Sequence, residues 1–270
     1  MELEPGDRIG DRYEILNILG FGGAGDVYRV RDHVTRAERA LKLLYEDQLG
    51  TASLRHRFLT EARIMAELQH PNVLPVYSLG EHEDRVYFVM EYAPLGTARD
   101  QFDRDPPDMR LVAEVMLQVL DALDYAHQHN CIHRDVKPAN ILITHPGRYK
   151  LADFGVARYD ASGVARVTNT GDYLGTLGYM APEQRADPRR VQPQSDIYAC
   201  GAALYNLLSG HARPPPDLYA IAVDEESFPH FPPALLPIIS RATRGSVAER
   251  YDSAAQMRDA LAEAIHSTWE

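Results

Sequence analysis

The spacing of apolar residues changes character once along this chain, and that change limits the fold more than any other feature. Over the first ninety residues or so they alternate, as in "RYEILNILG", "DVYRVRD" and "ERALKLLYED", or form β-branched and aromatic blocks, as in "VLPVYSLGEH" and "RVYFVMEYA", which is the pattern of strands. One interruption, "TASLRHRFLTEARIMAELQH", sets Leu54, Phe58, Glu61, Met65 and Leu68 on one helical face. From about residue 108 the period is helical. "DMRLVAEVMLQVLDALDYAHQHN" and "DSAAQMRDALAEAIHS" are amphipathic, whereas "PQSDIYACGAALYNLLSG" is apolar almost all round. A helix of that last kind belongs in the middle of a domain. At 270 residues the chain is near the size at which one core stops growing. The expectation is an α+β chain of two lobes: a small β-rich one, then a larger helical one, dividing near "EYAPLG", Glu91 to Gly96.

Composition excludes several classes. No run approaches the roughly 18 apolar residues of a membrane helix, and "MELEPGDRIG" has neither a basic nor an apolar leader region. The two cysteines, Cys131 and Cys200, lie in apolar surroundings and are too few for a disulfide framework or a zinc site. A net charge of −11 argues against nucleic acid as a partner and mildly favours basic peptides. The chain reads as soluble and cytoplasmic, with no membrane segment.

The chemistry concentrates in a few short stretches. "HRDVKPAN", His133 to Asn140, puts a carboxylate, an ammonium and an amide at i, i+2 and i+5. Neither the helix period nor the strand period brings these three together, so a loop must converge them. Such a loop suits a phosphate with its metal. "GFGGAGDV" gives G-x-G-x-x-G-x-V through Gly20, Gly22, Gly25 and Val27, where backbone N–H groups could close over phosphate oxygens. By itself the stretch is better read as a plain turn, but it runs strand to strand, unlike a dinucleotide fingerprint. Lys42 shares a strand face with Ala40 and Leu44, and Glu61 sits in the apolar stripe of its helix. Each alone could reach to water; paired, they satisfy each other's burial cost. "LADFGVAR" places Asp153 after a short hairpin, with a hard oxygen suited to Mg²⁺, and Asn140 can add a second. Glu183 in "GTLGYMAPEQ" has Arg250 of "VAERYDS" as its candidate partner.

In this order and at these spacings the motifs resemble those of eukaryotic-type Ser/Thr protein kinases, in their bacterial, receptor-kinase-like branch. The resemblance covers about residues 10 to 266, so all of 1–270 reads as one kinase domain. It implies a bilobal fold: an N-lobe (about 10–90) of five antiparallel strands plus helix C, a hinge (91–96) and a mainly helical C-lobe (about 97–266), with ATP in the cleft. Transferred residue by residue, it implies that Leu19, Gly20, Phe21, Gly22, Gly23, Ala24, Gly25 and Val27 cover the nucleotide. Lys42 would hold its phosphates and Glu61 would hold Lys42. Ala40, Met90, Glu91, Ala93 and Leu142 would surround adenine. Asp135 would take or orient the substrate hydroxyl's proton, Lys137 would balance charge, and Asn140 and Asp153 would bind Mg²⁺, or Mn²⁺ in its place. Asp196 would hold the catalytic loop's backbone, leaving Ser195 to cap its helix. His133, Phe154, Met65 and Val76 match the family's apolar stack. Lys137 and Thr176 follow the Ser/Thr-specific pattern, implying protein serines and threonines as substrates.

Regulation follows the same resemblance. Arg134 would pair with a phosphate on the segment that carries Thr168 and Thr170, added in trans through a transient homodimer. The chain departs from the pattern in the extra Gly23, in Arg39 before Ala40, in Ala199 and in the short proline-rich "HARPPPD" region. Two other functions compete. A non-catalytic nucleotide-binding module would normally lack one of Lys42, Asp135, Asn140 or Asp153, and all are present. A small-molecule kinase would have no use for "GTLGYMAPE" and its threonine-bearing segment.

Overall fold

The computed structural model describes residues 3–21, 25–44, 52–83, 85–103, 108–154, 177–210 and 214–269, with side chains for all of these except 52–58 and 61. The expected roles of Gly22, Gly23, Ala24, Thr168, Thr170 and Thr176, and of the Glu61 side chain, fall outside that set. The described residues form two compact units. One is built from those up to Gln69 and from Leu74–Pro94, the other from His70–Val73 and from Leu95 onwards.

The first unit is an antiparallel sheet with one helix. Its strands are β1 (Arg8–Ile9), β2 (Tyr13–Phe21), β3 (Gly25–Asp32), β4 (Glu38–Leu44), β5 (Val76–His82) and β6 (Arg85–Glu91), in the order β1-β2-β3-β4-β6-β5. Five of these are the expected strands. The sixth, β1, is only two residues long, too short to leave an alternation in the sequence. It is held because Ile9, with Leu3 ahead of it, packs into the buried cluster of Tyr13, Ile15, Tyr28, Val30, Leu41, Leu43 and Val89. Each such side chain removed from water contributes about 1.5–3 kcal/mol. β4 lies inside the sheet, between β3 and β6, and is buried on both faces from Ala40 to Leu44. Exposure alternates strictly along the edge strand β5. Helix α1 (Ala52–Glu67) turns Ala62 and Met65 inward, with Leu68 buried just past its end.

The second unit is mainly helical. Helices α2 (Ala98–Phe102) and α3 (Met109–Gln128) lead to the hairpin β7 (Ile141–His145) and β8 (Arg148–Leu151). Then come α4 (Pro182–Ala186), α5 (Pro193–Leu208), α6 (Leu236–Ala242) and α7 (Ala254–Trp269). Side chains set the starts of the first two helices. Thr97 and Asp100 form a reciprocal capping box on α2, and Asp108 accepts from the Leu111 N–H of α3 at 3.0 Å. Every residue of α5 from Ser195 to Tyr205 is buried, as its all-round apolar sequence requires. It packs against α3, α6 and α7. Gly201 allows the approach to α6, since a Cβ there would lie 2.7 Å from that of Ala242. Cys131 and Cys200 are buried free thiols; burial pushes Cys131 up to about 12 and Cys200 well above its ordinary value.

Candidate active site

In the helical unit the loop from His133 to Asn140 draws its polar groups together. Asn140 closes a short 3-10 turn opened by Pro138, and its Nδ2 donates to the Asp135 carbonyl at 2.8 Å and to Asp135 Oδ2 at 2.7 Å. Lys137 Nζ reaches the same Oδ2 at 3.1 Å. Asp135 and Asn140 are buried, so one carboxylate oxygen is fixed by an amide and an ammonium at once. The amide and the ammonium singled out by spacing therefore meet at one oxygen of the carboxylate.

The loop itself is held from below by Asp196. Its Oδ2 accepts from the His133 N–H and from His127 Nε2, and its Oδ1 from the Arg134 N–H, each at 2.8 Å. Charge-assisted bonds of this kind are among the stronger ones available, and they account for a carboxylate only 1% exposed. Asp196 is thus no helix cap, and Ser195 takes part in the cap from position N3 rather than as the N-cap residue. The N-cap of α5 is Gln192, whose N–H donates back to Ser195 Oγ at 3.3 Å, while the Ser195 hydroxyl donates to Glu183 Oε1 at 2.7 Å.

His133 is buried and packs on Phe154 with ring centroids 4.5 Å apart. Its Nδ1 accepts the Asp135 N–H at 3.2 Å, which leaves Nε2 to donate to the Ala152 carbonyl at 3.0 Å. Burial lowers its pKa, against the pull of Asp196 and Asp135, so the neutral Nε2–H form fits this network. Asp153 follows with a left-handed backbone, φ 57°, and is half-buried. Both Asn140 amide protons are spent on Asp135, so Oδ1 is the amide's remaining polar atom. That oxygen and the Asp153 carboxylate are the oxygen donors a hard divalent cation takes. The donor chemistry fits such an ion.

Glu183 and Arg250 form the expected pair. Two bonds of 2.8 Å join the guanidinium to the carboxylate, and Arg250 also donates to the carbonyls of Arg244, Gln194 and Gly245. Its face covers the Tyr198 ring at 5.1 Å. Burial pushes the Glu183 carboxyl up, but hydrogen bonds from Arg250 and Ser195 and the charge of Arg250 outweigh it, leaving its pKa below the ordinary value.

In the sheet unit, register sets the neighbours. Val27 and Phe88 lie opposite Lys42, and Met90 lies opposite Ala40, so these five share one face. Lys42 is 8% exposed, with Nζ 5.6 Å from the Phe88 ring centroid. Leu19 and Phe21 are exposed, Gly20 pairs with Val27, and the Glu91 N–H donates to Pro75 O at 3.1 Å. Ala93 and Leu142 are half-buried in their respective units. Gly25 has a packing reason of its own, because a Cβ there would strike the carbonyl of Leu43. Arg39, the unexpected residue before Ala40, lays its guanidinium over Tyr77 at 4.3 Å, a cation–π contact that accommodates a charge where an apolar residue was expected.

The family described as "Protein kinase domain" matches residues 13–227. The chain belongs to that family. Among curated relatives, the serine/threonine-protein kinase PrkC of Bacillus subtilis is 39% identical over 206 residues, covering 76% of this chain and 31% of PrkC. The serine/threonine-protein kinase PknB of Mycolicibacterium smegmatis is 38% identical over 268 residues, covering 93% of this chain and 42% of PknB. The chain therefore spans less than half the length of these relatives. The crystal structure of the Mycobacterium tuberculosis PknI kinase domain is also similar, with TM-score 0.74 and 30% identity over 98% of this chain and 100% of that one. The fold is accordingly the α+β protein kinase fold, in a chain of the bacterial Ser/Thr branch.

Three residues in this kinase domain make contacts that were not read from its sequence. His127 reaches Asp196 from α3. Asn72 Nδ2 donates to Gln118 Oε1 and to Tyr149 O, both at 2.9 Å. Gln184, 2% exposed, donates to the Arg134 carbonyl at 2.9 Å. For His127 the signal was available: a polar residue following the buried Ala126 of an amphipathic helix. For Gln184 there was none, because a glutamine beside Glu183 reads as surface.

Proposed function

We propose that this chain is the catalytic part of a Ser/Thr protein kinase, moving the γ-phosphoryl group of ATP to serine and threonine hydroxyls of proteins. The observation that carries this reading is the Asp135 carboxylate, fixed by Asn140 and Lys137 on a loop whose backbone is bound to Asp196. Phosphoryl transfer leaves little covalent work to a protein, so fixed charge and position are what it must supply. The hydroxyl oxygen bonds to the γ-phosphorus as the bond to the ADP oxygen breaks, and Asp135 receives the hydroxyl proton. Lys137 sets a positive charge beside that carboxylate. Asn140 and Asp153 are the residues to hold Mg²⁺ or Mn²⁺, which when bound offsets charge on the phosphate oxygens. Lys42 is the residue to hold the phosphates. The domain takes in the whole chain as assigned from the sequence, and its setting is the cytoplasm. Incubation with γ-labelled ATP, Mg²⁺ and a Ser/Thr-bearing protein is expected to give phosphoserine and phosphothreonine. Asp135→Asn is expected to lower transfer by at least about a hundredfold. Undiminished transfer in that variant, or label in small metabolites alone, would sink the reading.

The same reading extends to control. Thr168 and Thr170 are phosphorylated in trans within a transient homodimer, and the phosphate pairs with Arg134. Supporting it is the order of these residues in the sequence, with Arg134 beside Asp135 and the two threonines between Asp153 and Glu183. Phosphate at these threonines in active protein, a rate second order in enzyme, and at least a tenfold loss of activity on double replacement by alanine are the expected results. An unphosphorylated preparation of full activity would refute it.

A further inference from the structure

Arg134, the residue before the proposed base, has a left-handed backbone, φ 68°, a conformation that non-glycine residues adopt only when their surroundings over-determine it. Its N–H is bound by Asp196, but that bond fixes the peptide ahead of Arg134. The direction of the Asp135 side chain depends on the following peptide, the one joining Arg134 to Asp135. Two hydrogen bonds hold that peptide. The Asp135 N–H donates to a His133 ring nitrogen at 3.2 Å, and the Arg134 carbonyl accepts from Gln184 Nε2 at 2.9 Å. The Gln184 bond is the shorter of the two.

We infer that Gln184 is a positioning residue for phosphoryl transfer, holding the Arg134–Asp135 peptide in the orientation that aims the Asp135 carboxylate. The inference rests on the kinase reading above. Its place in the chain gives the contact a further consequence. Gln184 sits on α4, directly after Glu183, whose carboxylate is tied to Arg250 and Ser195. The side chain that orients the loop is therefore itself anchored through its neighbour, and the anchor joins "APEQ" to the catalytic loop by a route that does not involve Asp196. Without the donor, a partly buried carbonyl loses this partner and the left-handed residue loses one of the contacts that keep it so. One neutral hydrogen bond shifts such an equilibrium by about fivefold to tenfold.

Two substitutions of nearly the same size test this. Gln184→Met removes the donor and keeps the volume, while Gln184→Glu keeps the shape and, when ionised, presents an acceptor to an acceptor. The single-turnover transfer rate per nucleotide-binding molecule is expected to fall about tenfold in both, with the KM for ATP held within about twofold. Glu in place of Gln is the more polar variant and serves if the methionine protein fails to fold. The inference is overturned if both folded variants keep the wild-type rate while only their melting temperatures fall, since Gln184 would then be structural. It is also overturned if the KM for ATP rises with the rate unchanged. A wild-type protein that transfers no phosphate would instead overturn the kinase reading, so the two failures are distinguishable.

Discussion

A buried arginine is tolerated only when its five N–H groups and its charge are all met, and Arg250 illustrates the requirement. It is 2% exposed, accepted by one carboxylate through two bonds and by three backbone carbonyls. Breaking a buried pair strands the surviving charge, which typically costs about 3–5 kcal/mol, more than the pair's own net contribution. Glu183→Gln should therefore lower the unfolding free energy by about that amount at neutral pH. The dependence on pH has a definite sign. Glu183 has a folded pKa below its unfolded one, so its stabilising contribution is fully present above the unfolded value and is lost as pH falls through the folded value. The gap in melting temperature between wild type and Glu183→Gln should be widest at neutral pH and close in acid. A gap that stayed constant from pH 7 to about pH 3 would show that the carboxylate's charge is not what Arg250 requires. Asp32, held below the ordinary carboxylate range by the Arg12 guanidinium, has the same sign, but Arg12 is nearly half exposed. Solvent screening makes that pair worth much less.

At the scale of elements, legibility followed the number of faces an element buries. β5 is an edge strand whose exposed positions are Tyr77, Leu79 and Glu81, so its β-branched and aromatic composition located the strand without telling which face is covered. β4 sits between two partners and buries both faces, so Leu41 and Leu43 are as covered as Ala40 and Leu44; alternation misstated its surroundings while still locating the strand. α5 was legible because an apolar helix has nowhere to be except inside, and Ser195 to Tyr205 are all buried. β1 was illegible, since two residues carry no period and only packing with Leu3 and the sheet fixes them. The candidate site divides along similar lines. Asp135, Lys137 and Asn140 were readable because they lie within six positions of one another and neither regular period suits them. The Glu183–Arg250 pair, 67 residues apart, was reached through the motif order of a family. Asp196 was placed under the loop by the same resemblance, yet its third partner His127 and the bond from Gln184 were missed. These depend on side-chain direction between elements that one chain's sequence does not encode locally.

For the molecule as a whole, the distribution of burial implies a distribution of local stability. Segments that open cheaply have exposed backbone bonds and few covered apolar groups, whereas those that open only with the whole have neither. α5 is at the second extreme. It is covered on all sides by its own unit, touches α3, α6 and α7, and supplies Asp196 to the catalytic loop. Opening it would expose Ile197, Tyr198, Leu204 and the Asp196 carboxylate together, with the pair of Glu183 and Arg250 anchored on Gln194 beside it. The edge strands β1 and β5 are at the first extreme, each paired on one side only, with alternate residues of β5 exposed. Native-state hydrogen exchange should therefore find the slowest amides of the helical unit in the middle of α5 and on the buried face of α3. Their opening free energies should match that of global unfolding, of the order of 5–15 kcal/mol for a domain. The amides of β5 that point away from β6 should exchange by openings several kcal/mol cheaper. If the α5 amides exchanged as readily as those of β5, the helix would not be the structural centre of its unit. The catalytic loop, bound to it through Asp196, would then need another source of rigidity.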